Sequence, residues 1–261
     1  MAEEPKVKVP QRGSPSVSRA VAILNLLAER PGGWSLTQIA QALGLAKSST
    51  LTIMTSLDSA RMVSRTDNGY ELDVGVLTPA TGFLAGVDVT ARFKSSIAAS
   101  PMLRAEVAHV AVLAGTEIIY IARHTGRPPL PVTAAIGDRF PASITAAGTV
   151  LLAELSDDEV ADRYHDESSF AQWTSRSTPD LPRLLEKLDR TRKDGYAVDD
   201  GETHPNVLGL AMAVRRYGDF ADDISVSASL RRDEINARGR RQALDELSGV
   251  RQALQAGNEL H

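Results

Sequence analysis

The sequence contains no cysteine, and this absence removes several kinds of chemistry at once. The chain can form no disulfide, no thiolate metal site and no cysteine nucleophile. Aromatic residues make up only 5% of the 261 residues, so the cores must consist mainly of Ala, Val, Leu and Ile. No apolar run is long enough to cross a bilayer, and the first residues lack the apolar stretch of a signal peptide. We therefore expect a cytoplasmic protein in which residues 1–15 form a flexible arm.

Neither sign of charge dominates the chain as a whole, because the formal net charge is only −4. The distribution is uneven, however, since residues 12–65 contain six basic and two acidic side chains, a local excess of +4 that leaves −8 for the remainder. A basic segment on an acidic chain is compatible with a DNA-binding part near the N-terminus. The length is comfortable for two domains.

Three helices followed by a hairpin are predicted in the first part of the chain. Apolar residues recur at helical spacing over 17–28, and Ser35 with Gln38 forms a capping-box pattern at the start of a second, short helix. Gly44 supplies the turn to a third helix over about 46–60. Asn68-Gly69 predicts a hairpin with a type I′ turn. This order is typical of a winged helix-turn-helix.

The third predicted helix has the composition of a DNA recognition helix, because small polar residues at its start fit the major groove. The competing interpretation is an ordinary helical hairpin, and the neighbouring hairpin with its arginines favours DNA. We expect Leu51, Ile53, Met54 and Leu57 to point inward and Lys47, Ser48, Ser49, Thr50, Thr52 and Thr55 to point largely outward. The expected phosphate contacts are Arg19, Lys47, Arg61 and Arg65, and the expected base contacts are Ser48, Ser49, Thr50 and Thr52.

The second part of the chain alternates predicted strands and helices, which indicates a sheet flanked by helices. Strands are predicted at 107–113, 118–122, 130–135, from 196, 208–215 and 224–230. Helices are predicted over 146 to about 155, from 157, over 181–193 and over 235 to about 255. Ser225 and Ser227 share one face of a strand, which would line a pocket or form an exposed edge. Asp199 is expected just after a strand, either as a turn former or as a hydrogen-bond acceptor for a ligand.

Small residues begin the helix predicted after Thr145. Ala146, Ala147 and Gly148 would leave backbone N–H groups unshielded where the helix dipole is positive, which suits a carboxylate. The competing interpretation is close packing of that helix on the sheet.

Catalysis and metal binding find no support in the sequence. The five histidines, His109 included, form no metal-spaced pair, and we interpret them as structural or solvated. There is no GxSxG, HExxH, GxGxxG or P-loop pattern. No cofactor is therefore predicted. A small-molecule hydrolase fused to a helical domain is the alternative function, but no nucleophile–base constellation supports it. A ligand-independent architectural DNA binder is a third possibility, and its usual strong basicity does not fit a pI of about 5.8.

The chain resembles the isocitrate lyase regulator (IclR) family over nearly its whole length. The matching residues are Ser18-Arg19-Ala20 with Ile23-Leu24, the helix-turn-helix, Tyr70-Glu71-Leu72, Gly137-Asp138, Thr145–Gly148, Arg192 with Asp194–Ala197, and Ile224–Ser227. Three positions depart from the family pattern. Thr52 replaces a usual Arg, the acidic pair is spread over Asp199, Asp200 and Glu202, and Gly209 stands where some members have a pocket Cys. We expect Gly209 to enlarge the pocket and so to favour a bulkier ligand than a two-carbon acid.

This resemblance implies an α+β architecture: a winged helix-turn-helix over 16–76, a connecting helix over 77–90 and a mixed α/β, GAF-like effector-binding domain over 91–261. It implies a transcriptional regulator that binds a palindromic DNA operator as a homodimer or a dimer of dimers. Its small-molecule effector, an organic acid or a related compound, would modulate repression. The expected effector-binding residues are Ala146, Ala147, Gly148, Asp199, Gly209, Ser225 and Ser227.

Overall fold

The computed structural model describes residues 14–29, 32–85, 89–126, 130, 134–215 and 223–256. Arg12, Arg30, His261, most of the predicted arm and residues 131–133 of the predicted strand 130–135 lie outside the described residues, and the described Leu130, Ala134 and Ala135 do not form a strand. The chain divides into two compact units, residues 1–85 and 86–261.

The first unit is a winged helix-turn-helix. Its elements are α1 (Pro15–Glu29), α2 (Leu36–Ala42), α3 (Lys47–Ser59), the antiparallel hairpin of β1 (Val63–Thr66) and β2 (Gly69–Leu72), and α4 (Leu77–Ala85). Ile23, Ile39, Met54 and Val63 are fully buried and join the three helices to the hairpin in one apolar core.

Local sequence signals explain how α2 and α3 are arranged. Ser35 caps α2, and both bonds of the capping box with Gln38 are present, as predicted. Gly44 has a positive φ of 63° in the turn that follows, a conformation that costs glycine little. The chain can therefore turn sharply between the support helix and the recognition helix.

The hairpin is present, but its predicted turn is wrong. Thr66 pairs with Gly69, so the loop residues are Asp67 and Asn68 rather than Asn68 and Gly69. Gly69 has a φ of 123° because the backbone of Trp34 passes beside it, and a Cβ at this glycine would lie 2.6 Å from the Trp34 carbonyl oxygen. Trp34 pairs with Tyr70 in an isolated bridge, and this tertiary contact sets the register of the wing.

The second unit is a six-stranded antiparallel sheet between helices. Its elements are α5 (Val89–Ala99), β3 (Val107–Ala114), β4 (Glu117–Thr125), β5 (Arg139–Pro141), α6 (Ala146–Leu152), α7 (Asp157–Arg163), α8 (Leu181–Asp194), β6 (Ala197–Asp200), β7 (Val207–Val214), β8 (Ile224–Arg231) and α9 (Ala237–Gln255). The strand order is β5-β4-β3-β8-β7-β6. Helices α6, α7 and α8 contribute to one apolar core with the sheet, and α5 and α9 pack against each other and against β4, β7 and β8.

Three local predictions for this unit need correction. Asp199 lies within strand β6, paired with Gly209 of β7, and not in a loop after the strand. The short strand β5 was not predicted, and it pairs with the start of β4. Helix α6 ends at Leu152, a turn earlier than expected.

Candidate DNA-binding surface and ligand cavity

The outward face of α3 differs from the predicted one at two positions. Thr50 is fully buried, and its hydroxyl donates to the carbonyl oxygen of Ala46 at 3.1 Å, so its assignment as a base contact is wrong. Leu51 was expected inside but is 48% exposed. Lys47, Ser48 and Thr52 are exposed as predicted, and Ser49 is half-buried. Thr55 is exposed as well.

The candidate phosphate-binding cations are not equivalent. Arg61 donates from Nε to Asp73 at 2.8 Å, and this bond is the main reason why the pKa of the Asp73 carboxyl is lowered. Within the described residues, Arg19, Lys47 and Arg65 form no such ion pair, and Arg65 is exposed on the wing. Arg61 therefore joins the end of α3 to the residue after β2, and the other three cations remain available to DNA.

A cavity of about 40 Å³ lies in the second unit and collects most of the predicted ligand-binding residues. Ala146 and Ala147 at the start of α6, Asp199 of β6, Gly209 of β7 and Ser227 of β8 all line it. The lining also contains residues that were not among the predicted ligand contacts: His109, Tyr120, Phe140, Thr145 and Thr203. Residues that are far apart in the sequence thus meet around one polar cavity.

Asp199 is the cavity's carboxyl group. Its Oδ1 accepts from the backbone N–H of Glu202 at 2.6 Å, and its Oδ2 accepts from the hydroxyl of Thr203. Burial raises its pKa to about 6, although these hydrogen bonds oppose the rise. A Cβ at Gly209 would lie 3.1 Å from the Asp199 Cβ, so the glycine keeps space open beside the carboxyl.

His109 faces the cavity as a neutral side chain. It is 4% exposed, and burial lowers its pKa to about 4. Its Nε2 lies 3.3 Å from the carbonyl oxygen of Ala134, which can only accept, so Nε2 carries the proton and Nδ1 is an acceptor. The centroid of the ring lies 4.5 Å from that of the Tyr120 ring, and the two rings are tilted against each other. Burial also raises the pKa of Tyr120. The interpretation of His109 as structural or solvated is therefore incomplete.

A buried ion pair supports the turn that follows β6. Lys187 of α8 donates to Glu202 at 2.5 Å and to the carbonyl oxygen of Ser143 at 3.0 Å. Glu202 also accepts from the Thr178 hydroxyl at 2.6 Å, while its own N–H binds Asp199. Burial lowers the Lys187 pKa, and the carboxylate of Glu202 opposes this effect. The network fixes the backbone that holds Asp199.

Two predicted ligand contacts do not reach the cavity. The N–H of Gly148 is not free, because it donates to the Thr145 hydroxyl at 3.1 Å, and a Cβ at Gly148 would lie 2.3 Å from the Ala142 Cα. Close packing therefore explains this glycine. Ser225 is fully buried, with its hydroxyl 3.5 Å from the carbonyl oxygen of Ala111, and it does not line the cavity.

Features of other protein classes are missing from the described parts of the chain. No helix there is long and apolar enough to cross a membrane. No group of three His, Asp or Glu side chains in those residues could hold a metal ion.

The fold and the cavity define a ligand-responsive regulator of the winged helix-turn-helix class. The IclR helix-turn-helix domain matches residues 16–67, and the family described as the C-terminal part of bacterial IclR transcriptional regulators matches residues 82–254. The chain belongs to the IclR family of transcriptional regulators, a family of DNA-binding regulators and not of enzymes. The hydrolase alternative is not supported.

Several relatives span most of the chain. The HTH-type transcriptional repressor AllR of Salmonella typhi is 26% identical over 222 residues, which are 84% of this chain and 80% of that protein. The crystal structure of the repressor BlcR of Agobacterium tumefaciens has a TM-score of 0.58 and 29% identity, covering 94% of this chain and 96% of BlcR. An IclR homologue of Microbacterium hydrocarbonoxydans, complexed with 4-hydroxybenzoate, has a TM-score of 0.77 and 15% identity, covering 92% and 99%.

Proposed function

We propose that this protein is a cytoplasmic repressor whose affinity for a palindromic operator changes when a compact organic acid binds the cavity. The observation that carries the proposal is that Asp199, His109 and Ser227 line one cavity in a chain that belongs to a family of transcriptional regulators. A palindrome requires at least a homodimer, and a dimer of dimers would occupy two such sites. The relatives named as repressors support repression rather than activation.

The chemistry of the lining favours an effector with both an acceptor and a donor. When ionised, Asp199 can only accept, so it would hydrogen-bond a hydroxyl or N–H of the effector and stay apart from its carboxylate; when protonated, it can also donate. Ser227 and the backbone N–H groups of Ala146 and Ala147 are the donors that a carboxylate would use. Below the Asp199 pKa of about 6 the carboxyl is neutral, so an acidic effector should bind more tightly at pH 5.5 than at pH 7.5.

The size of the cavity favours a compact effector. A volume of about 40 Å³ holds only a few water molecules. The expectation that Gly209 would favour a bulkier ligand than a two-carbon acid finds no support in this volume. A larger acid would require the lining to move.

Calorimetry with a size-graded series of hydroxy acids tests the effector site. Glycolate, lactate and 4-hydroxybenzoate each carry a carboxylate and a hydroxyl. For a member that binds, Ser227→Ala and Asp199→Ala should each weaken binding by about 1–3 kcal/mol, the cost of an unpaired buried polar group. Ser225→Ala is the matched control, because it removes a buried hydroxyl from the same strand outside the cavity. Equal affinities in all three variants would place the effector site elsewhere.

The DNA surface is tested separately by the salt dependence of operator binding. Removal of one cation that neutralises a phosphate should reduce the slope of log K against log salt by about 0.9. We expect Lys47→Ala and Arg65→Ala to lower the slope, whereas Arg61→Ala should change it less, because Arg61 is paired with Asp73. A slope that Lys47→Ala and Arg65→Ala leave unchanged would show that this face does not meet DNA.

A further inference from the structure

Leu51 occupies an unusual place for a large apolar side chain. The buried stripe of α3 consists of Thr50, Ile53, Met54 and Leu57, which follow one another at helical spacing. Leu51 lies off this stripe and is 48% exposed, one turn beyond Lys47 on the outward face. Burial in the core of its own unit therefore does not explain it.

The hydroxyl groups beside Leu51 are turned toward the helix. Thr52 donates from Oγ1 to the carbonyl oxygen of Ser48 at 3.1 Å, and Thr55 donates to the carbonyl oxygen of Leu51 at 2.9 Å. Both threonines are exposed. Because each O–H donor is used by the backbone, these hydroxyl groups cannot donate to a partner, and the methyl groups of the two exposed side chains are available for apolar contact.

Apart from Lys47 at its first position, the helix lacks the side chains that read purines by paired hydrogen bonds. Its sequence, KSSTLTIMTSLDS, contains no Arg, Asn or Gln, and its one cation is Lys47 at the first position. Arg reads guanine, and Asn or Gln reads adenine, through two hydrogen bonds in the major groove. Thymine instead presents a C5-methyl group there, which apolar side chains contact.

We infer that Leu51, with the methyl groups of Thr52 and Thr55, determines operator specificity by contacting thymine C5-methyl groups. This inference rests on the proposed binding of operator DNA through α3. The surface continues directly from Lys47, whose charge suits a neighbouring phosphate. The protein then recognises the half-site more by apolar contacts with the bases than by hydrogen bonds to them.

Replacement of thymine by uracil removes only the methyl group and so tests the inference directly. The full-length protein is used to select binding duplexes from a random-sequence library, and the enriched duplex is synthesised again with deoxyuridine at each thymine in turn. We expect at least one position at which the wild-type affinity falls about fourfold, as for the removal of one buried methyl-sized group. Leu51→Ala should bind the thymine and uracil duplexes equally at that position.

Two sets of variants separate this role from a general decrease in binding. Ser59→Ala removes a hydroxyl that is bonded to the backbone at the far end of the same helix, and it should keep the full uracil penalty. Thr52→Val keeps the outward methyl group and should retain the thymine preference, whereas Thr52→Ser lacks the methyl group and should reduce it.

The outcomes are distinguishable. Equal affinity of the wild-type protein for thymine and uracil duplexes overturns the inference while leaving operator binding intact. An undiminished uracil penalty in Leu51→Ala removes Leu51 from the recognition of the methyl group. No enrichment of any duplex would instead refute specific DNA binding, and with it both proposals.

Discussion

Asp199 and His109 should give the second unit opposing dependences of stability on pH. The Asp199 pKa rises from 3.8 to about 6 on folding, so the folded protein holds this proton more tightly than the unfolded chain does. Stability from this group is present below about pH 4 and is lost as the pH rises to 6. This pKa difference of about two corresponds to about 3 kcal/mol in the free energy of unfolding.

His109 has the opposite sign. Its pKa falls from 6.5 to about 4 on folding, so between these values the unfolded chain takes up a proton that the folded protein does not. Stability is then lost as the pH falls from about 6.5 to 4, again by about 3 kcal/mol. The two contributions have opposite signs and nearly cancel in the wild-type protein. The titration of these two groups together should therefore change its stability little between pH 4 and 6.

Single substitutions reveal each slope. In Asp199→Asn only His109 titrates, so the free energy of unfolding should rise from pH 4 to 6.5. In His109→Gln only Asp199 titrates, so the free energy of unfolding should fall over the same range. Asp200→Asn is the matched control, because Arg232 lowers the pKa of Asp200 and its side chain is half exposed. This control should retain the wild-type profile.

Urea unfolding of the full-length chain, followed by tryptophan fluorescence, measures these profiles. The chain has two tryptophans, so a Trp34→Phe background leaves Trp173 as a probe of the second unit. Trp173 packs edge-on against Phe140 at 5.2 Å, and Phe140 lines the cavity. If Asp199→Asn has the same profile as Asp200→Asn, burial of Asp199 does not perturb its titration and the reasoning fails.

Three further sets of substitutions test the packing of two glycines, the buried ion pair and the cap of α2. Gly148→Ala should lower Tm sharply, since overpacking costs about 1–3 kcal/mol or more, whereas Gly249→Ala in α9, with open space around it, should raise Tm by thermal unfolding. Lys187→Met should destabilise the second unit by about 3–5 kcal/mol in urea, because it leaves Glu202 buried and unpaired, and adding Glu202→Leu should restore much of the stability. Ser35→Ala should cost the first unit about 1 kcal/mol in urea unfolding followed by the fluorescence of Trp34 in a Trp173→Phe background, and an unchanged stability would show that the capping box adds nothing.

Local signals in the sequence were sufficient for the elements of the first unit. Ser35 and Gln38 cap α2 through bonds within four residues, and Gly44 allows the turn without help from the rest of the fold. The inward positions of Ile53, Met54 and Leu57 were also readable, because they follow the helical period, but that of Thr50 was missed. Leu51 was assigned to the inside because its side chain is larger and apolar, and Thr50 was assigned to the outside. The structure shows the reverse.

The ligand cavity could be predicted only in part. The resemblance to the IclR family indicated Ala146, Ala147, Asp199, Gly209 and Ser227, and the structure brings these five together. Ser225 shares its strand face with Ser227, but it is fully buried, its hydroxyl lies 3.5 Å from the Ala111 carbonyl oxygen, and it does not line the cavity. A period of two assigns a side chain to a face of a sheet and says nothing about where the opposing layer leaves a gap.

The sequence by itself determined the element types, the helix caps and the family, because these depend on short-range bonds and on residue order. Tertiary structure alone decided which side chains share the cavity and what charge they carry. His109 and Asp199 are separated by 90 positions in the chain and meet only when β3 and β6 join one sheet. Their pKa values shift because the surrounding layers exclude water, and no local pattern in the sequence records that exclusion.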